Sequence, residues 1–248
     1  MPLLPPDCGQ EYHALSMSEE KLYAVITGDV VHSSRLRGER WSTLVDLLAE
    51  TFRAVDSIVG SIAAPFSIHR GDSFQGVLSD PALALKAALV IRAKLRSGVD
   101  VRKRSDALDA YIAIGIGTID YLPEEQGAAG DGEAFRRSGR TLDGMKGRGP
   151  RLVVRTPWPG VDEELDVECA LLEGIAANWS SQRAEALLLH LQGMTQEEAA
   201  STLGIARTAV AKRLASAGAG ELDRLLDRYR WLVEANIGSG PDKTVISD

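Results

Sequence analysis

With 248 residues, 44% of them hydrophobic, the chain is long enough for one or two domains with a proper core. A net charge of -7 excludes a protein that coats nucleic acid through bulk charge, so any contact with DNA must be local. Two cysteines, Cys8 and Cys169, are too few and too far apart for a disulfide framework or a zinc site, and no run approaches the roughly 18 apolar residues of a membrane helix, so a cytoplasmic protein is expected.

Residues 1–20, interrupted by Pro2, Pro5, Pro6 and Gly9, read as a disordered leader. Residues 22–31 are apolar and β-branched, the pattern of a buried strand, with Gly28-Asp29 near its end. Trp41, Leu44, Val45, Leu48, Phe52, Val55 and Val59 recur at helical spacing and predict a long amphipathic helix. Strand patterns at 66–69 and 74–78 flank Arg70-Gly71-Asp72-Ser73 and predict a hairpin. Asp80-Pro81 supplies the N-cap and first position of a second helix that stops near Gly98. Residues 110–119 form an Ile-rich strand containing Gly115 and Gly117, and glycine in a strand marks close approach of another backbone or a ligand. Residues 133–145 read as a helix and 151–155 as a last strand.

The order β-α-β-β-α-β predicts an α+β fold: a split βαβ, ferredoxin-like N-terminal domain at 21–157, with helices on one face of an antiparallel sheet. Beyond it every pattern is helical, which predicts an all-α domain at 162–235 and a disordered tail at 236–248.

Within the helical part, residues 196–214 meet the demands of a helix-turn-helix. Thr195 and Glu198 can form a capping box, Ala199, Ala200 and Leu203 face inward, and Gly204 falls where the chain must turn. Ile205, Val210 and Leu214 anchor the second helix, leaving Arg207, Thr208, Ala211, Lys212 and Arg213 for a DNA groove. A plain helical hairpin would use the same apolar spacing. The stretch resembles the last DNA-binding region of sigma factors. Residues 181–235 carry seven basic and seven acidic side chains, so one copy would bind weakly, whereas a symmetric dimer could supply enough phosphate contacts.

Asp29 at a strand end and Asp72 in a hairpin turn would lie side by side in such a sheet. Their carboxylates could converge on one divalent cation, Mg²⁺ (or Mn²⁺), which prefers hard oxygen ligands. Behind Asp29, Val30, Val31, His32, Ser33 and Ser34 form a turn whose N–H groups could hold a polyphosphate. Both aspartates also suit the bland role of turn former, and Arg136, Arg137 and Arg140 that of a solvated helix face. His32 and His69 flank the aspartates as hydrogen-bonding neighbours and are given no catalytic role.

Residues 23–34 and 68–76, with the Gly-Asp hairpin, the Ile-Gly-Ile-Gly strand and Gly130-Asp131-Gly132, resemble the SatD family over about residues 22–145. More distantly they resemble the class III nucleotidyl cyclase catalytic domain, in which an Asp-Ile-Val-Gly-Ser-Thr strand end and a Gly-Asp hairpin carry two metal-binding aspartates. That resemblance implies Asp29 and Asp72 as metal ligands, residues 30–34 as the triphosphate turn, and a homodimer with sites completed across subunits. The family's Gly-x-x-x-Asn-x-x-x-Arg helix falls on Gly132, Arg136 and Arg140. Arg140 is kept and would stabilise transition-state charge in an enzyme, while Arg136 replaces Asn and joins the phosphate-binding set. The Lys and Asp that select adenine fall on Ile68 and Ala129, so base selection of that kind is absent. Three functions follow: a nucleotide-sensing, dimeric DNA-binding transcription regulator; a metal-dependent nucleotidyl cyclase-like enzyme; or a DNA-binding protein whose N-terminal domain only dimerises.

Overall fold

The computed structural model describes residues 20–31, 39–98, 108–122, 130–145 and 150–238. The fold is mixed α+β. Five strands, β1 (Tyr23–Val30), β2 (Ile62–Arg70), β3 (Ser73–Leu78), β4 (Ala110–Gly117) and β5 (Leu152–Arg155), form one sheet in the order β2-β3-β1-β4-β5. β1 lies between β3 and β4, antiparallel to both, and β5 adds to β4 in parallel. Eight helices complete the described residues: α1 (Glu39–Val59), α2 (Ala84–Ser97), α3 (Glu133–Met145), α4 (Pro159–Ala176), α5 (Ser181–Leu191), α6 (Gln196–Leu203), α7 (Arg207–Ala217) and α8 (Ala219–Ile237). Asp80 does cap, as its spacing predicts, but it caps a short 3-10 turn, Pro81–Leu83, that feeds into α2.

Alternation along β1 explains the layering. Ala24, Ile26 and Val30 join the main core with Leu44 and Leu48 of α1 and Leu85 and Leu89 of α2. Val25 points the other way and packs with Ala64, Val77, Ala134 and Phe135. Helices therefore cover both faces, which corrects the expectation of one. The reason lies in β4, where a Cβ on Gly115 would stand 2.3 Å from the carbonyl oxygen of Ala134, and one on Gly117 2.9 Å from its nitrogen. Bare strand backbone admits the backbone of α3 onto the second face.

α2 is enclosed on all sides, with eleven of its fourteen residues buried. One side meets the sheet and α1; the other meets the helices that follow β5, so a single cluster of buried apolar residues runs from Ala24 to Val233. Polar ties cross the same boundary. Arg92 binds Asp109 and Glu173, Arg96 donates to the Trp179 carbonyl at 3.1 Å, and the Tyr229 hydroxyl donates to the Pro81 carbonyl at 3.0 Å. Cys169 is buried, and burial pushes its thiol up to about 12, which makes it chemically inert at neutral pH. No helix among the described residues is long and apolar enough to cross a membrane.

Candidate functional site

The end of β1 and the β2–β3 turn meet. Asp29 pairs with Ser73 in the ladder, the Ser73 hydroxyl donates to Asp29 Oδ1 at 3.1 Å, and the Val30 N–H donates to the Asp72 carbonyl at 3.3 Å. Val31 N–H donates to the Asp109 carbonyl at 2.8 Å, fixing where the chain leaves the sheet. Asp29 and Asp72 are both half-buried. Alternation puts Asp29 on the α3 face, in line with Thr27, which donates to Ser138 of α3 and accepts from Gln75. Asp29, Asp72 and Ser73 bring residues with hard oxygen donors to one strand end, while no group of three or more His, Cys, Asp or Glu side chains placed to hold a metal ion occurs among the described residues. His32, Ser33 and Ser34 lie outside the described residues, as does Ala129; His69 is exposed, and Ile68 is a half-buried residue packed against the main core.

α3 presents its arginines differently. Arg136 is exposed and reaches Asp131 and Asp120, and Arg140 is exposed with no partner among the described residues. Arg137, on the flank toward β5, pairs with Glu133 and donates from Nη1 to the Ile116 carbonyl at 2.9 Å. Gly132, ahead of α3, has φ +143, and a Cβ there would stand 2.6 Å from Ile119 Cα. The turn into α3 therefore requires glycine.

At the other end of the chain, Thr195 caps α6 in a complete capping box with Glu198, whose carboxyl is lowered by the Thr195 backbone and hydroxyl hydrogen bonds. Gly204 closes α6 in the left-handed conformation at φ 63 and ψ 33, and α7 begins three residues later, at Arg207. Ala199 and Ala200 are buried where α6 meets its neighbours, and Val210 and Leu214 where α7 does. Arg207, Thr208 and Lys212 are exposed. Ala211 and Arg213 are half-buried, and Arg213 lies 3.7 Å from Glu185 of α5, so it is less open than its position in the sequence suggests. Arg207 donates to Gln196 Oε1 at 3.3 Å across the turn.

One buried group escaped the sequence reading. Asp109, at the start of β4, accepts from Arg92, Arg96 and Arg151. Burial alone would push its carboxyl up, but the Arg92 and Arg96 guanidiniums outweigh burial and hold it well below the usual carboxylate range. Its partners lie too far apart in sequence to signal one another.

No family model and no curated protein matches the chain. Among solved structures it is similar to the GGEEF domain of a diguanylate cyclase from Vibrio cholerae, at 15% identity and a TM-score of 0.38 over 55% of this chain and 83% of that one. It is also similar to a dimeric guanylyl cyclase domain from the aquatic fungus Blastocladiella emersonii, at 16% identity and a TM-score of 0.38 over 50% and 74%. A bacterial light-regulated adenylyl cyclase aligns at 13% identity and a TM-score of 0.37 over 54% and 74%.

Proposed function

We propose that the chain is a SatD-like, cytoplasmic DNA-binding transcription regulator. Its sheet-bearing part, residues 21–157, forms a homodimer and binds a nucleotide or other phosphate ligand, and its helical part, residues 162–235, reads DNA. The observation that carries the reading is the capped α6, the left-handed Gly204 and the exposed Arg207, Thr208 and Lys212 of α7, built onto the same core as the strand-end aspartates. α6 and α7 act as a helix-turn-helix resembling that of sigma factors, with α7 in the major groove. Asp29 and Asp72 hold Mg²⁺ (or Mn²⁺), and His32, Ser33, Ser34 and Arg136 hold phosphate; Val30 and Val31 leave that set, because their N–H groups are already given to the Asp72 and Asp109 carbonyls. The ligand alters the spacing of two α7 helices in the dimer.

A second reading, a cyclase-like enzyme, has Asp29 and Asp72 holding metal and Arg140 stabilising transition-state charge. Arg140 is exposed and has no partner among the described residues, which leaves its guanidinium able to reach a substrate phosphate. Each nucleoside triphosphate with Mg²⁺ or Mn²⁺, followed by thermal shift and by chromatography of products, separates the readings. Stabilisation without turnover supports the sensor, turnover supports the enzyme, and neither points to an N-terminal part that only dimerises.

A further inference from the structure

On the β5 flank of α3 lies a cleft of about 420 Å³, walled by Arg136, Arg137, Arg140 and Thr141 from the helix, Arg155 at the end of β5 and Asp162 of α4. That volume suits a small ligand. Four guanidiniums face it, and their existing partners are weak competitors. Arg136 pairs with Asp131 and Asp120, Arg137 with Glu133, and Arg155 with Asp166, all carboxylates exposed by 50% or more. Pairs of that exposure are screened and exchange readily for a stronger anion. Arg140 has no partner among the described residues.

Two of the guanidiniums are also preset. Arg137 Nη1 donates to the Ile116 carbonyl at 2.9 Å, and Arg155 Nη1 to the Val154 carbonyl at 2.7 Å. Main-chain anchors of this kind reduce the freedom a fork must lose on binding. The carboxylate on the far wall is already engaged: Asp162 Oδ1 accepts from the Thr156 N–H and hydroxyl, both at 2.8 Å, and burial raises its pKa. Glu133 also lines the cleft, so four guanidiniums stand against two carboxylates, Asp162 and Glu133, on its walls.

We propose that this cleft binds a phosphate-bearing anion of mononucleotide size, its oxygens taken by Arg140 together with the forks of Arg137 and Arg155. The inference does not rest on the metal reading. Asp29 belongs to β1, two strands away from β5 in the sheet. Its consequence is a second input: Arg155 ties β5 to α4 through Asp166, and a ligand that draws Arg155 inward releases that tie.

The test titrates the full chain, in metal-free buffer, with inorganic pyrophosphate and separately with ATP, by calorimetry. Arg140→Gln, Arg155→Gln and Asp29→Asn are compared with the wild type, their folding checked by circular dichroism melts. Wild type should bind at least one probe at sub-millimolar concentration, Arg140→Gln should weaken it about tenfold, and Asp29→Asn should leave it unchanged. Equal binding of both probes identifies a site for free phosphates; preference for ATP identifies a nucleotide. If Arg155→Gln fails to fold, the exposed Arg140 decides alone. No binding of either probe, or binding that survives Arg140→Gln but falls with Asp29→Asn, overturns the proposal.

Discussion

Asp109 receives the Arg92 guanidinium side-on, Nε to Oδ1 at 2.9 Å and Nη2 to Oδ2 at 3.0 Å, with both side chains sealed from solvent. Arg92 continues to Glu173 of α4 at 2.7 Å, so one guanidinium joins the sheet to the helices that follow it. Removing one partner leaves a buried charge uncompensated. Asp109→Ala should therefore lose about 3–5 kcal/mol of stability in urea unfolding. The pH dependence has a defined sign. A carboxyl held low in the folded state contributes its full stability above the unfolded value, about pH 4, and loses it as pH falls toward the folded value. Wild type should thus lose more stability between neutral and acid pH than Asp109→Asn, and parallel profiles would remove the network from the account.

Two glycine substitutions separate packing from backbone strain. Gly115→Ala drives a methyl into the Ala134 carbonyl and should cost about 1–3 kcal/mol, because α3 must lift from β4. Gly204→Ala meets nothing within 4 Å and should cost only the left-handed conformation, about 1–2 kcal/mol. Spectroscopic urea midpoints measure both. Gly204→Ala should in addition reduce DNA binding, which Gly115→Ala in its folded state should not.

In α7, proposed above as the recognition helix, Arg207 stands at the N-terminal end and Lys212 about one turn further on. Arg207→Ala should weaken the selected site by about 1–3 kcal/mol and relax discrimination at one base pair. Lys212→Ala should weaken all sequences alike and flatten the salt dependence by about one unit of slope. Binding to selected sequences at two salt concentrations checks this; no enriched sequence, with neither variant altering affinity, would mean α7 does not read DNA.

A dimer is expected because two near-neutral readers on adjacent turns of DNA gain what one lacks. Light scattering coupled to size exclusion should give twice the 26.6 kDa chain mass, with or without nucleotide. A monomer at tens of micromolar under both conditions would count against the dimeric regulator.

Much of the local structure was legible because its causes are local. The Thr195 and Glu198 pair specifies the start of α6 by itself, and the turn glycine Gly204 specifies its end. Gly115 and Gly117 announced a close approach, but not that α3 would make it from the second face, since a helical stripe does not say which side of a sheet it covers. The meeting of the Asp29 strand end with the hairpin turn followed from strand order, whereas the share of Arg155 in the cleft follows from the parallel pairing of β5 with β4, which no local pattern encodes. Arg92 was least visible of all. In sequence it is one cation in an Ala- and Leu-rich helix, and only the enclosure of α2 on every side turns it inward.

That enclosure means that the helices beyond Pro159 are no detachable cassette. Severed near residue 157, they would leave α5 without the α2 surface it packs on, and the opposite fragment would keep Arg92 and Asp109 while losing Glu173. Either piece would start with a broad apolar scar that favours aggregation. α6 and α7 rest on α5, and α5 rests on α2, so the segment proposed to face DNA depends on the sheet-bearing half of the chain for its packing.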